Sequence, residues 1–495
     1  MSGTTVKELP VTKAPFNWSR AFFLLGGLAL FFIIYYCPAW PDAIDPKGAH
    51  FVLTKQAKGA LAVFAVAATW WIFEVVPIGV TSLLIGSLQA LFLIRKPAEA
   101  FKDFMDPSVL FIFGSVVIGM VFTKTGLTKR IAYKMLSIIG ERTSMIMLGC
   151  FVMTVALTHV MAHTAVAATM FPLLMAIYAM YTTETKPTKF GKALFIGMAY
   201  VAGAGSIITL LGSARAAVAL AFYKDMTGME LTPMDLTYYM MPLGWLMVLI
   251  LWGFFMVLLK PEKDRIPGLK EKATRMYKEL GGMTRNEISA SIIIFAAVVL
   301  IGLKSLLPAL DNVDKTGILL CSTIAFFVFN ILDIEDLEDI PWNIVLLFAG
   351  AMSIGFCLWQ TGAAKWLAVN WLVLFQSAPA VVFILGMAFF VLVMTNFIMN
   401  VAAIAISLPV ALVIAPYLGV GPQVILFSAL ATAGMPFFLL IGAAPNAIAY
   451  NSKQFTTGEF LKYGILASLI LMVVLWGFVA FVWPMMGMQV FAAVK

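Results

Sequence analysis

Gly203-Ala-Gly-Ser-Ile-Ile-Thr-Leu-Leu-Gly-Ser-Ala-Arg-Ala-Ala217 and Gly434-Met-Pro-Phe-Phe-Leu-Leu-Ile-Gly-Ala-Ala-Pro-Asn-Ala447 each lie within a long apolar run, at 193–221 and 423–450. Glycine and proline weaken or end a helix. Inside a bilayer, backbone freed in this way must be satisfied by protein or by a water-lined cavity. The two stretches also match each other: Leu211-Gly-Ser-Ala-Arg-Ala-Ala217 recurs as Ile441-Gly-Ala-Ala-Pro-Asn-Ala447. Paired interruptions of this kind predict two broken helices around one site near the bilayer midplane.

The composition requires a membrane. The chain has 495 residues, 62% hydrophobic and 12% charged, about half the charged share of a soluble globular protein. No polar stretch is long enough for a soluble catalytic domain. The net charge of +8 is read against membrane topology rather than nucleic acid. Cys37, Cys150, Cys321 and Cys357 form no CxxC and lie in or beside apolar runs, so they read as small packing residues. The apolar run Ala21–Tyr36 follows a basic stretch, but Tyr36-Cys-Pro-Ala-Trp40 is an interface sequence rather than a cleavage site, which predicts a retained first helix. No GxxxxGK[ST] loop is present, which argues against ATP-driven transport by this chain alone.

Eleven apolar runs can span: 20–37, 59–76, 78–94, 108–123, 193–221, 240–259, 288–303, 317–332, 343–372, 423–450 and 461–485. Two more, 144–180 and 380–415, are too long for one helix and are interrupted by Thr158-His-Val-Met-Ala162-His163-Thr164 and by Thr395-Asn-Phe-Ile-Met399-Asn400-Val401. They read as re-entrant hairpins. With a cytoplasmic amino terminus, segments 1–20, 124–143, 181–192, 260–285 and 450–462 face inward and carry 21 of the 33 Lys and Arg residues, as the positive-inside rule requires. The acidic segment Asp333–Asp339 falls on the same side. The basic 260–285 stretch reads as a solvated linker beside anionic lipid.

The chain repeats. Gly114, Gly119, Thr125-Gly126, Lys129 and Ala132 recur as Gly350, Gly355, Thr361-Gly362, Lys365 and Ala368, and Phe171-Pro172 recurs as Leu408-Pro409. Each half holds five crossings and a hairpin, and an odd number of crossings inverts the second half. The expected fold is therefore an all-α polytopic membrane protein of about 11 transmembrane helices plus two hairpins, arranged as an inverted repeat. The expected divisions are a tail and first helix (1–50), repeat 1 (51–259), a basic linker (260–287) and repeat 2 (288–495).

Trp70-Trp-Ile-Phe-Glu74-Val-Val-Pro77 and Ala444-Pro445-Asn446-Ala-Ile448 resemble the WWxxE-x-x-P and PPNAI segments of the divalent anion:sodium symporter (DASS, INDY-like) family, with the resemblance covering nearly the whole chain. It implies an elevator-type carrier of the ion-transporter superfamily, a homodimer in the bacterial plasma membrane that takes small organic anions with sodium as coupling ion. The family's Ser-Asn-Thr hairpin tips fall on Ala162-His163-Thr164 and Met399-Asn400-Val401. Only Thr164 and Asn400 match, so this is a divergent member, and a substrate other than the usual four-carbon dicarboxylates is implied. The same carry-over places substrate contacts at Ser213, Arg215, Ala444 and Pro445. It puts a first sodium site at Thr158, Ala162, His163 and Gly212, and a second at Thr395, Ile398, Asn400 and Gly442.

Arg215 departs most from the family pattern, standing in Gly212-Ser-Ala-Arg-Ala216 where the family has Gly-Thr-Pro-Pro-Asn. An ionisable group at membrane depth costs about 2.5–3.5 kcal/mol on insertion scales and faces a cavity or partner. It is read as a contact to the substrate anion or a fixed replacement for the first sodium, against a structural pair or a side chain snorkelling toward the helix exit. His159 and His163 share a helix face, open to packing, proton coupling or substrate contact, with zinc disfavoured by the lack of a Glu or Cys partner. Glu74, Lys129 and Lys365 read as structural or interfacial charges. Ser206 and Ser213 have no Asp or Lys placed to activate them, so no enzyme is expected. The alternative function is a cation/proton antiporter or metalloid anion exporter of the wider superfamily.

Overall fold

The computed structural model describes residues 18–38, 40–44, 50–73, 75–182, 186–304, 313–375, 379–397 and 399–491. Glu74 and Ile398 lie outside them. Among the described residues the only sheet is a two-stranded ribbon, Ala43–Ile44 against His50–Phe51. Nine helices among them are long and apolar enough to cross a membrane, three being arms of the hairpins (His163–Tyr181, Ala380–Phe397 and Asn400–Leu418), with shorter apolar helices at Ile78–Leu91, Thr143–Thr158, Lys315–Val328 and Pro422–Ala433. Large apolar side chains such as Phe22, Leu91, Val257 and Val473 are exposed around the molecule, as a bilayer-facing surface demands. This is a multi-pass integral membrane protein.

One expected crossing divides. The run 343–372 forms two helices, Trp342–Gln360 and Ala363–Phe375, because Gly362 takes a left-handed conformation (φ +81°) that ends a helix cheaply only at glycine. Gly126 (φ +82°) does the same in the first half, so the expected loop 124–143 holds a helix, Leu127–Ile139. The linker is not merely solvated. Its helix Leu269–Glu279 packs on Leu127–Ile139, and the Arg130 guanidinium donates to Glu287 (2.8 and 3.0 Å) and to the Gly281 and Gly282 carbonyls (2.9 and 3.0 Å).

The frame around the site is built by close helix contacts. Trp18–Tyr36 lies on Lys55–Ile72, where Trp70 Nε1 donates to the Leu24 carbonyl (3.4 Å). Ile78–Leu91 lies on Trp342–Gln360, joined by a buried bond from Gln89 to Ser353 (2.9 Å). Against Gln89 stands a buried Arg95–Asp103 ion pair (2.6 Å). Two other helices are buried almost throughout: Lys189–Gly205, and Asn400–Ile414 of the second hairpin.

Candidate functional site

Four helix starts come in two matched pairs. In the first hairpin, Thr143–Thr158 ends and His163–Tyr181 begins after Ala162 turns extended (φ −60°, ψ 137°). In the second, Ala380–Phe397 is followed by Asn400–Ile414, with Met399 in the same conformation (φ −61°, ψ 143°). Each returning helix carries an internal proline, Pro172 or Pro409. The broken helices also match. Lys189–Gly205 resumes at Ala214 after extended Ser213 (φ −160°), and Pro422–Ala433 resumes at Ala444 after extended Ala443 (φ −155°). Helix starts expose unpaired N–H groups and a partial positive charge.

Glycine is required where hairpin meets break. A methyl group on Gly212 would collide with the Thr158 carbonyl, and one on Gly442 would stand 3.2 Å from the Thr395 carbonyl. The two junctions differ in what their carbonyls already hold. At the first, Gly212 O accepts from His163 N–H (3.3 Å), His159 O from the Thr209 hydroxyl (2.9 Å) and Gly203 O from the Ser206 hydroxyl (2.6 Å). At the second, Asn396 receives Phe438 and Leu439 N–H (2.8 and 3.1 Å). Asn446 there donates to Pro436 and Leu439 O (2.8 and 3.0 Å), and the Thr395 hydroxyl to Ala433 O (3.2 Å).

Arg215 is 1% exposed. Its Nη2 donates to the Ser206 hydroxyl (2.7 Å), while Nε and Nη1 have no partner among the described residues. A methyl group on Gly434 would lie 2.6 Å from Nη2. Ser206 and Gly434 are the residues that end Lys189–Gly205 and Pro422–Ala433. The guanidinium thus sits between the carboxyl ends of two half-helices, where the dipoles are negative.

A cavity of about 780 Å³ joins the tips and breaks. It is lined by Ala162, His163, Thr164, Ser213, Arg215, Met399, Asn400, Val401 and Ala444, nine of the ten residues expected to contact substrate. Pro445 is buried behind Ala444 and does not line it. Of the expected sodium ligands, Thr158 and Gly212 meet at the first junction, and Thr395 and Gly442 at the second. His159 turns away and packs edge-on to Trp245 (5.8 Å between ring centroids).

Residues 19–489 match the family described as the sodium:sulfate symporter transmembrane region. The chain belongs to the sodium:sulfate symporter family. This is the divalent anion:sodium symporter grouping that the tryptophan and asparagine motifs resemble, and the protein is one of its membrane transporters. Relatives include the sodium-dependent dicarboxylate transporter SdcS of Staphylococcus saprophyticus, 25% identical over 483 residues, which covers 93% of this chain and 91% of the relative. SdcS of Staphylococcus aureus strain USA300 is 25% identical over 493 residues, covering 95% and 93%. In fold the chain is similar to Neisseria gonorrhoeae MtrF, described as illuminating a class of antimetabolite efflux pumps, with a TM-score of 0.54 at 12% identity and 93% of each chain covered.

Sequence reasoning missed part of the lining of this family member. Lys129, read as a structural charge, lines the cavity at its exposed mouth together with Lys124 and Asp336. Lys124 bonds Asp333 (2.9 Å) and Asp336, so the acidic segment neutralises one side of the opening. Lys365, the repeat partner of Lys129, instead lies over the Phe51 ring (4.2 Å). The paired lysines gave the signal, but Gly126 and Gly362 turn alike (φ +82° and +81°), so nothing local to the sequence tells which lysine faces the cavity.

Proposed function

We propose that this chain is a secondary active carrier of small organic anions, working by alternating access, with Arg215 holding the place of one coupling cation. The observation that carries the reading is the buried guanidinium between the carboxyl ends of the two interrupted helices. In secondary transporters half-helix carboxyl ends and unwound carbonyls coordinate the coupling ion, while half-helix amino ends face an anionic substrate. Sodium coupling is then reduced: the guanidinium supplies one fixed positive charge, and a single sodium ion would be taken as co-substrate at the second junction by Thr395, Gly442 and Asn400. Thr164, Ser213 and Asn400 would hold the anion with the first-turn N–H groups.

The two hairpins support an elevator-type exchange of state. The second hairpin's returning helix is packed on Trp342–Gln360 and Ala363–Phe375, whereas the first turns Ala168, Pro172 and Ala176 into the open cavity. Swapping these roles closes one side and opens the other. We infer further that 51–259 and 288–495 are the inverted repeats flanking the 260–287 linker. The same reading makes the chain a homodimer in the bacterial plasma membrane, with its amino terminus and the cavity mouth cytoplasmic.

The test is uptake of labelled mono-, di- and tricarboxylates and sulfonates into proteoliposomes, with and without a sodium gradient, for wild type and Arg215→Ala. Uptake of an organic anion with weak or no sodium dependence that collapses in Arg215→Ala is expected. Uptake steeply dependent on sodium and intact in Arg215→Ala would show the guanidinium idle. A counter-transported inorganic cation with no need of an organic anion would make the chain an antiporter instead.

A further inference from the structure

We infer that the substrate is a monoanion with an apolar body, a single carboxylate or sulfonate head on a hydrocarbon frame, rather than a compact dianion; this rests on the carrier reading above. The hydroxyl groups of the cavity are mostly committed elsewhere. By residue type the lining looks polar, but Ser115, Thr123, Thr128 and Thr169 donate their protons to the carbonyls of Leu211, Gly119, Phe122 and Ala165 (3.1, 3.1, 3.3 and 2.8 Å). A hydroxyl committed in this way offers lone pairs, not a proton, to an incoming anion.

Apart from Lys124, Lys129 and Tyr133, the donors left over are Thr164, Ser213, Asn400, the His163 imidazole and the Nε and Nη1 of Arg215; His163 Nδ1 and the two guanidinium nitrogens have no partner among the described residues. Four of these five residues belong to the first half of the chain. There the resumed helix Ala214–Thr227 is 14 residues long, long enough to present an effective positive end, and the buried Arg215 lines the cavity from its first turn. The second half presents Asn400 between Met399 and Val401. Its resumed helix, Ala444–Tyr450, has only seven residues and carries Pro445, which has no N–H, in its first turn.

The lining therefore holds few open donors and a single buried formal charge, that of Arg215, among apolar side chains: Met399 and Val401 flank Asn400, and Ile112 and Val116 of the helix Pro107–Thr125 and Phe348 of Trp342–Gln360 line the same cavity. Lys124 and Asp336 pair at the mouth and Lys129 is exposed there. A second carboxylate on a short substrate would lose its water against hydrocarbon without a matching donor set, which is costly. A hydrocarbon body would instead bury apolar surface.

Discrimination of this kind, charge against methylene in an apolar pocket, amounts to at least about tenfold in transport rate. The experiment measures uptake of labelled benzoate, benzenesulfonate, hexanesulfonate and succinate by the full chain in proteoliposomes. Protein-free vesicles are subtracted, and each anion is tested with and without sodium. At least one monoanion is expected to exceed succinate about tenfold in wild type, and benzoate against benzenesulfonate identifies the head group. The double variant Met399→Ser/Val401→Thr is expected to narrow that ratio at least about fivefold by admitting succinate. Succinate carried as fast as the best monoanion in wild type overturns the inference and leaves the carrier reading standing. A working double variant with an unchanged ratio also overturns it. Uptake of no anion in the panel overturns the carrier reading itself.

Discussion

Arg215→Met removes a charge while nearly preserving length and bulk, and the structure sets its expected effect on stability. The guanidinium is buried, donates one hydrogen bond to Ser206 and leaves Nε and Nη1 without a partner among the described residues. A hydrogen bond to a charged group contributes about 1.5–3 kcal/mol, whereas each buried donor left unmet costs about 1–3 kcal/mol. No carboxylate among the described residues pairs with it within salt-bridge distance, so the charge adds its own desolvation cost. The balance is against the arginine, and the methionine variant should be as stable as wild type or more so by roughly 1–3 kcal/mol. In a thermal unfolding scan of purified protein this is an unchanged Tm or a rise of a few degrees. Anion transport should nevertheless be lost, and with it the rise in Tm that a bound anion gives wild type, about 2.7 kcal/mol at a hundredfold excess over Kd. A Tm lowered by several degrees with transport intact would show that Arg215 is a structural residue whose partners lie elsewhere, and would remove the case for a fixed cation.

Gly212→Ala should cut uptake at least about tenfold, because its methyl group strikes the Thr158 carbonyl and lies 3.2 Å from Ser206 Cα; Gly253→Ala, with nothing within 4 Å, should transport normally. Equal uptake by the two variants would show that the first junction tolerates movement. A Cβ on Gly119 stands 3.3 Å from that of Ala165, close to the roughly 3.5–4.5 Å a disulfide spans. Gly119→Cys/Ala165→Cys, in a chain lacking Cys37, Cys150, Cys321 and Cys357, should oxidise readily, stop transport and recover on reduction. Full transport by the oxidised form would mean that the first hairpin does not move past the helix Pro107–Thr125. Burial would raise the Glu262 carboxyl, but hydrogen bonds from Lys189 N–H, the Tyr181 hydroxyl and Phe190 N–H prevail and hold it below its usual range. A carboxylate depressed in the folded state stabilises above its ordinary value, about 4.5, and loses that contribution as pH falls through the lower folded value. Tm plotted against pH should therefore drop less steeply below about pH 4.5 in Glu262→Gln than in wild type, and parallel curves would show these hydrogen bonds to be inert.

Much of this site was legible because repetition and breakage are properties of the sequence itself. His163 and Asn400, which the internal repeat aligns with each other, are each the first residue of a returning helix. Arg215 stood out because charge is rare in apolar runs. Its direction was not legible. The side chain reaches Gly434, far along the chain in the opposite repeat, and no local pattern encodes a contact between halves. The placement of Lys129 failed for a related reason: hydrophobic runs locate helices but not the turn at Gly126 that brings Leu127–Ile139 across the cavity.

The polarity of the cavity is the instructive case. Counting Ser115, Thr123, Thr128 and Thr169 as polar is correct by type and misleading by function, since within an apolar helix a hydroxyl finds its nearest acceptor in the preceding turn or an adjoining broken stretch of backbone. Around the cavity, the side chains that escape this stand at helix starts. Thr164, Ser213 and Asn400 stand where no preceding turn offers a carbonyl, and their donors stay open. Breaking a helix in the bilayer thus does two things at once: it frees main-chain N–H groups, and it exempts the adjoining polar side chains from being used up by their own helix. That is how few polar residues can serve the proposed anion site, and why the loss of hydroxyl groups at Met399 and Val401, positions exempt in the same way, bears on what is carried far more than any serine or threonine within a helix.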